Sequence, residues 1–148
     1  MTEALRILLT NKARGWTGEP AYVRMLARGL AASGCEVRVA ARAGSMLAVK
    51  LADDRIPVDI LRLEDGARRL GSLWSDARAC RRLARGFAPQ ILHTNASWDS
   101  WTAAGAFCAL RNPALRIRTK HNLKRVRTTL PNRLLYRRVL EHLIAPSA

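Results

Sequence analysis

Apolar residues along the chain alternate between two spacings, one typical of strands and one typical of helices. Short alternating or continuous apolar runs predict strands at Arg6–Asn11, Glu36–Arg42, Val58–Leu63, Gln90–His93 and Arg116–Lys120, with a sixth beginning at 143–145. Segments with apolar positions every three or four residues lie between them. They predict helices over 20–33, 45–54, 67–87, 98–110 and 132–142. This alternation predicts an α/β fold, a Rossmann-like, doubly wound and mostly parallel sheet with helices on both faces.

Two of the predicted helices carry a pattern that assigns their buried face. In the first, apolar residues recur at Tyr22, Val23, Leu26 and Leu30, and Gly34 is placed to end the helix in a left-handed conformation. The long helix over 67–87 has many arginines around one apolar stripe, which we expect to face the core. That stripe consists of Leu70, Leu73, Trp74, Ala77 and Leu83.

The length of the chain suits one domain. Its 148 residues, 49% of them hydrophobic, can form one sizeable core, so we expect a single domain over residues 1–148. No apolar run reaches the roughly 18 residues that a membrane span needs, and the start lacks the pattern of a secretory signal. We therefore expect a cytoplasmic protein. Cys35, Cys80 and Cys108 are widely spaced and form no metal-ligand pattern, which indicates free thiols and no metal site.

The charge of the chain points to an anionic partner. The 26 Lys and Arg residues outnumber the 11 Asp and Glu residues, which gives a formal net charge of +15. Nucleic acid, an anionic membrane surface and a phosphorylated small substrate all suit such a field. Charge alone does not choose among the three.

The unusual polar residues lie in three loops that follow predicted strands. In a doubly wound sheet, ligands bind outside the carboxyl ends of the strands. The loops after strands one, four and five, at 12–19, 94–99 and 121–127, therefore form the candidate site.

Several stretches of the chain, taken in order, resemble one enzyme family. The stretch TGEPAYVRMLARGLAASGCEVRVAARAGSMLA is similar to the opening of family 4 glycosyltransferases of the GT-B type, and the similarity continues through RIPVDILRL, FAPQILHTNAS, RIRTKH and LLYRRVLEHLIAPSA. It covers essentially the whole chain. The resemblance implies the N-terminal, acceptor-side domain of such an enzyme. It also implies that a nucleotide-sugar domain, absent from this chain, acts with it in cis.

The chain departs from the family pattern at two places. Where the family has Gly-Gly-x-Glu or Gln, this chain has Thr17, Gly18, Glu19 and Pro20, so only Gly18 matches and the acidic residue is displaced by one position. Where the family has His-x-His after the fourth strand, the second histidine is replaced by Asn95, whose amide can still bond a sugar hydroxyl.

The resemblance assigns roles to individual residues. His121 is the catalytic candidate: it would hydrogen-bond the donor sugar or the acceptor and need not act as a base, because the resemblance implies a retaining enzyme that needs no protein nucleophile. Gly18 is the candidate for close backbone approach to the nucleotide-sugar, beside a helix N-terminus. The candidates for acceptor binding are Thr17, Glu19, His93, Asn95, Lys124 and Arg125.

Each assignment has a structural alternative. His93 and His121 both suit a strand-end histidine packed in the protein, and the basic residues around the fifth strand suit a solvated face. Trp16, Trp98 and Trp101 stand in or beside the candidate loops and suit either stacking on a sugar ring or packing in the protein. His142, within the last predicted helix, is given no role.

The leading hypothesis is sugar transfer from a nucleotide-sugar to a carbohydrate or lipid-linked acceptor at the inner membrane face, in biosynthesis of cell-envelope polysaccharide or lipopolysaccharide. It needs no cofactor and no metal, and the chain alone should be inactive. The first alternative is a basic module that binds nucleic acid or another polyanion, but no helix-turn-helix, zinc or RNP-like pattern supports it. The second, a dinucleotide-dependent oxidoreductase, lacks the G-x-G-x-x-G loop and has Arg42 where an acidic residue would end strand two.

Overall fold

The computed structural model describes residues 3–64, 69–121 and 125–145, and these form a six-stranded sheet. The strand order is β3-β2-β1-β4-β5-β6, and every neighbouring pair is parallel. The strands are β1 (Arg6–Asn11), β2 (Glu36–Arg42), β3 (Val58–Leu61), β4 (Ile91–Thr94), β5 (Leu115–Thr119) and β6 (His142–Ile144). The predicted fold class is confirmed. Because the order reverses between β1 and β4, the switch point of the sheet lies at the carboxyl ends of these two strands.

The helices cover both faces of the sheet. They are α1 (Gly18–Ala32), α2 (Met46–Asp53), α3 (Arg69–Gly86), α4 (Ser97–Asp99), α5 (Gly105–Ala109) and α6 (Leu130–Leu134). Two π-helical segments extend them, Ser100–Ala104 between α4 and α5 and Leu135–Val139 after α6. None of the helices among the described residues is both long enough and apolar enough to cross a membrane.

Alternate residues of β1 supply two separate cores. Ile7 and Leu9 join the core under α1 and α2, whereas Leu8 joins the core under α3, α5 and the π-helical end of α6. This alternation follows from the two-residue period of a strand. Phe107 is the largest wholly buried side chain of the second core.

Most predicted boundaries agree with the structure to within one or two residues. Gly34 follows α1 with φ of 86°, the left-handed conformation expected of it. The third strand, however, stops at Leu61, because the backbone turns and Leu63 has φ of 44°. The last helical stretch ends at Val139, so the assignment of His142 to a helix was wrong, and His142 begins the edge strand β6.

The predicted buried stripe of the long helix was wrong at its amino-terminal end. Leu70 and Trp74 are 75% and 77% exposed, and the inward positions two residues after each are Ser72 and Asp76. The Asp76 carboxylate accepts from the backbone N–H groups of Arg62 at 2.7 Å and Leu63 at 2.9 Å. The turn after β3 thus needs a buried carboxylate. A hydrophobic pattern carries no signal for that need.

Candidate functional site

The candidate loops meet at one edge of the sheet. β1, β4 and β5 are adjacent and parallel, so their carboxyl ends, at Asn11, Thr94 and Thr119, lie side by side. The segments that follow these strands carry nearly all the polar residues singled out from the sequence. Their buried hydrogen bonds give the site its shape.

Asn95 connects the ends of β1 and β4 to His121. Its amide Nδ2 donates to the backbone oxygen of Thr10 at 3.0 Å, which turns the amide oxygen Oδ1 toward the imidazole of His121. The distance from that oxygen to His121 Nε2 is 3.1 Å. Because an amide oxygen only accepts, His121 Nε2 carries the proton and donates it.

The ring of His121 is held from a second side by helix α1. The ring centroids of Tyr22 and His121 are 4.8 Å apart, in an edge-to-face arrangement at 67°. Burial lowers the pKa of His121 below its ordinary value, and the positive charge of Arg118 lowers it further. The imidazole is therefore held in a fixed orientation and favours the neutral form.

His93 is set deeper than His121. It is only 6% exposed, and its Nε2 lies 2.7 Å from the hydroxyl of Thr119 on the neighbouring strand. Burial, with the added effect of the charge of His121, lowers the pKa of His93 to about 4. The ring is therefore neutral at pH 7. Its predicted contact with an acceptor stays a prediction.

Asp99 was not singled out from the sequence, yet it organises the loop after β4. Its carboxylate is wholly buried and accepts from the Thr10 hydroxyl at 2.7 Å. It also accepts from the backbone N–H groups of Asn95 at 3.2 Å, Ala96 at 2.8 Å and Ser100 at 3.0 Å. Burial raises the pKa of Asp99 to about 6, although these hydrogen bonds and Arg118 oppose the shift. An acidic residue in the first turn of a helix is the signal that could have found it.

Glu19 lies in the first turn of α1, facing the ends of the strands. The amide of Asn11, the last residue of β1, donates to its Oε1 at 2.7 Å. Burial and the negative charge of Asp99 raise the pKa of Glu19 to about 7, against the effects of Asn11, Lys12 and Arg118. At neutral pH this carboxyl can therefore either donate a hydrogen bond to a hydroxyl or accept one.

Thr17 and Gly18 form the start of α1. Thr17 is the N-cap residue in an extended conformation, and its hydroxyl makes no capping hydrogen bond. Gly18 is exposed, and a Cβ added to it would meet nothing within 4 Å. Packing in the described structure thus does not require glycine here. The open space leaves the helix terminus accessible to a ligand.

Arg118 is a second residue that sequence analysis did not select. It lies on β5, is only 5% exposed, and donates from Nη2 to the hydroxyl of Ser97 at 2.9 Å. Its guanidinium carbon lies 5.4 Å from the ring centroid of Tyr136. The charge of this buried guanidinium lies close enough to Glu19, Asp99 and His121 to lower the pKa of each of them.

The remaining candidates fall into three groups. Lys124 lies outside the described residues, while Arg125 and Arg127 are exposed in the segment before α6. Trp98 and Trp101 pack against the core under α3 and α5. Trp16 is 40% exposed, and the ammonium of Lys50 lies 4.8 Å from its ring centroid. Of these three tryptophans, all within the described residues, Trp16 is thus the one with an exposed ring.

Metal chemistry has no candidate ligand cluster in the described ranges. Within residues 3–64, 69–121 and 125–145, no three His, Cys, Asp or Glu side chains are grouped so that they could hold a metal ion. The groups that do converge are a neutral imidazole, an amide, a carboxyl that titrates near neutrality and a buried guanidinium. Such a set can hydrogen-bond hydroxyl groups and stabilise negative charge on oxygen.

Solved structures of other proteins have a similar arrangement of strands and helices. MurG from Acinetobacter baumannii matches with a TM-score of 0.69 at 17% identity, over 97% of this chain and 43% of that one. A glycosyltransferase from Rickettsia africae ESF-5 matches with a TM-score of 0.69 at 12% identity, over the same shares of the two chains. A putative UDP-N-acetylglucosamine 2-epimerase from Listeria monocytogenes matches with a TM-score of 0.69 at 15% identity, over 97% and 39%. At these identities the likeness establishes the fold alone.

The chain spans about two fifths of the length of each of these structures. No curated protein matches its sequence. The sequence model of glycosyltransferase family 4, however, matches residues 16–148, which include the second and third candidate loops and the end of the first. The chain therefore belongs to glycosyltransferase family 4.

Proposed function

We propose that this chain forms the acceptor-side half of an enzyme that transfers a sugar from a nucleotide-sugar to a carbohydrate or lipid-linked acceptor. One observation supports this most: the imidazole of His121 is fixed by Asn95, which is itself tied to the ends of β1 and β4. Transfer needs hydroxyl groups held in one orientation, and a rigid set of neutral donors and acceptors supplies that.

In this proposal His121 contacts the sugar or the acceptor hydroxyl. Its neutral ring is suited to hydrogen bonding. Among the described residues its hydrogen-bond partner is an amide oxygen and not a carboxylate, so this contact does not make the ring a strong base. As the family resemblance implies, we also propose that the reaction retains anomeric configuration without a nucleophile from this chain. Glu19 would bind an acceptor hydroxyl, since a carboxyl with a pKa of about 7 can donate or accept.

The start of α1 would approach the nucleotide-sugar. Gly18 leaves open space beside its backbone, and the unpaired N–H groups of a helix N-terminus favour phosphate oxygens. Thr17, with no capping hydrogen bond, has its hydroxyl available for a sugar or phosphate oxygen. Neither contact requires a cofactor or a metal ion.

The acceptor would be met at the cytoplasmic membrane face, in the assembly of a cell-envelope polysaccharide or lipopolysaccharide. The charge of +15 favours an anionic surface, and the exposed Arg125 and Arg127 lie in the segment that follows β5 and the site. Lys124 would belong to the same basic segment.

The nucleotide would be held mainly by a second domain acting in cis. We expect the 148-residue chain alone to bind nucleotides only in the millimolar range, near −4 kcal/mol, because half a site keeps only part of the contacts. We also expect no transfer by it.

The test is acceptor-dependent release of nucleoside diphosphate. The two-domain protein would be incubated with UDP-, GDP- and ADP-sugars, with and without a crude lipid extract as acceptor source, and the isolated chain would serve as control. Release by the two-domain protein that rises with the extract supports transfer. Release that the extract does not increase would be hydrolysis and would contradict transfer. Isomerisation of the sugar without any acceptor would favour epimerase chemistry instead, and turnover by the isolated chain would contradict the two-domain account.

A further inference from the structure

One side of α3 presents apolar side chains to solvent near its start and cationic side chains after them. Leu70 and Trp74, one turn apart, are 75% and 77% exposed. At 100° per residue, Arg78, Arg81 and Arg85 fall on the same side of the helix, and all three are exposed. We call these five residues the α3 stripe. None of its arginines forms an ion pair with another described residue.

A groove borders the apolar part of the stripe. It lies between α3 and α5, has a volume of about 290 Å³, and is lined by small and apolar side chains with two arginines of the stripe. The lining residues are Trp74, Ala77, Arg78, Arg81, Ala106, Ala109 and Leu110. Exposed tryptophan beside an apolar groove with a cationic border is unusual for a surface that faces only water.

We propose that the α3 stripe docks on an anionic lipid bilayer. Trp74 and Leu70 would enter the boundary between headgroups and acyl chains, where the indole ring is favoured. Arg78, Arg81 and Arg85 would bind lipid phosphates, each adding electrostatic attraction to the anionic leaflet. The net charge of +15 strengthens the same attraction over the whole domain.

The composition of the stripe favours a bilayer over nucleic acid. A nucleic acid could pair with the arginines and stack on Trp74, but an aliphatic side chain such as Leu70 gains little there. A bilayer satisfies both parts of the stripe at once, since apolar and anionic regions lie within a few ångströms of each other at its surface.

The topology places the apolar end of the stripe toward the edge of the sheet that carries the candidate site. α3 starts after the carboxyl end of β3 and ends before the amino end of β4, so it runs antiparallel to the strands. Leu70 and Trp74 therefore lie toward the carboxyl edge of the sheet, and Arg85 toward the opposite edge. The docked surface would then face a lipid-linked acceptor, a consequence that rests on the proposed function; bilayer binding itself does not.

The test measures binding of the chain to phosphatidylcholine vesicles with and without phosphatidylglycerol. Two variants remove the parts of the stripe separately: Leu70→Ser with Trp74→Ala, and Arg78→Gln with Arg81→Gln. Matched controls lie on the other face of the sheet, Met25→Ser with Val49→Ser on α1 and α2 and Arg28→Gln with Arg55→Gln, which remove equal numbers of exposed apolar and cationic side chains. All five proteins should keep the wild-type circular dichroism, because the altered side chains are exposed.

We expect binding only with phosphatidylglycerol, a loss of about tenfold or more in partitioning for both stripe variants, and little change for the matched controls. Lipids brominated in the acyl chain should quench the fluorescence of the wild type, and Trp74→Phe should lose most of that quenching.

Equal losses in the stripe variants and their controls would overturn the proposal. So would absence of binding, Trp74-dependent binding to single-stranded DNA in preference to vesicles, or a Trp74-dependent dimer in sedimentation velocity. Because no transfer assay is involved, failure here leaves the proposed reaction standing, and the reverse also holds.

Discussion

The imidazole of His121 and the amide of Asn95 are 3.1 Å apart, and this contact joins the end of β5 to the ends of β1 and β4. Asn95 is almost wholly buried, and both ends of its amide are in use. The orientation of the histidine ring therefore depends on a side chain that comes from a different loop.

Replacing Asn95 should affect both the fold and the site. Asn95→Ala leaves the backbone oxygen of Thr10 without its donor, so we expect a loss of about 1–3 kcal/mol in the free energy of unfolding, measured in urea. It also frees the ring of His121, so kcat/KM per folded molecule should fall.

Asn112 offers a matched control, because its amide also holds a loop, through Ala84 and Ala114, but lies at the other end of the sheet. Asn112→Ala should destabilise the protein without lowering kcat/KM. Similar kinetic losses in the two variants would contradict the special role of Asn95.

Asp99 should be among the side chains whose loss destabilises the fold most. Asp99→Ala removes an acceptor shared by Thr10 and three backbone N–H groups in a wholly buried place. We expect a loss of about 3–5 kcal/mol, the range for a buried charge partner, in urea or thermal unfolding. Asp59→Ala is the comparison, since Asp59 pairs with Arg38 in a more exposed place and should cost about 1 kcal/mol or less.

Glu19 should make stability fall as the pH rises. Its pKa is 4.5 in the unfolded chain and about 7 in the folded one, so between these values only the folded state keeps the proton. Unfolding then releases a proton, and the free energy of unfolding decreases with pH until about 7. Glu19→Gln cannot titrate and should remove this decline.

The measurement is the melting temperature of both proteins from pH 4 to 8. Relative to the wild type, the free energy of unfolding of Glu19→Gln should increase across this pH interval, by about 1 kcal/mol in all. The increase stays this small because solvent screens a carboxyl that is partly exposed. His93 titrates in both proteins, so its contribution cancels in the difference, whereas Asp99 interacts with Glu19 and the difference includes the coupling between the two carboxyls. A difference that is independent of pH would mean that the pKa of Glu19 is ordinary.

The fold was largely predictable from the sequence, because strand and helix periods alternate cleanly and the right-handed crossovers leave few topologies. The site was predictable only in part. Parallel strands bring Asn95 and His121 to one edge, so their proximity follows from the topology. The burial of Asp99 and Arg118 does not follow from the topology, because it depends on which loop covers the end of which strand. Leu70 and Trp74 were misassigned for a related reason: the inward side of the helix there carries Ser72 and Asp76, because the Asp76 carboxylate binds the turn after β3.

Gly18 tests the approach of a ligand to the start of α1. An added Cβ there meets nothing within 4 Å, so Gly18→Ala should leave the melting temperature within a few degrees of wild type. If the backbone touches the nucleotide-sugar, the extra methyl group should still raise KM about tenfold in the two-domain protein. Gly29→Ala is the control, being in the same helix with equally open space. A Gly18→Ala enzyme with the KM of the control would remove the start of α1 from the site.

The central claim is that His121 belongs to the substrate-binding edge and is not merely packed at a strand end. The measurement is kcat/KM for acceptor-dependent nucleoside diphosphate release by His121→Ala in the two-domain protein, together with its melting temperature. We expect the melting temperature to stay within a few degrees, because the ring is partly exposed, while kcat/KM falls about ten- to a thousandfold, or about 1.4–4 kcal/mol. A variant destabilised by about 1–3 kcal/mol that keeps full activity per folded molecule would contradict the account.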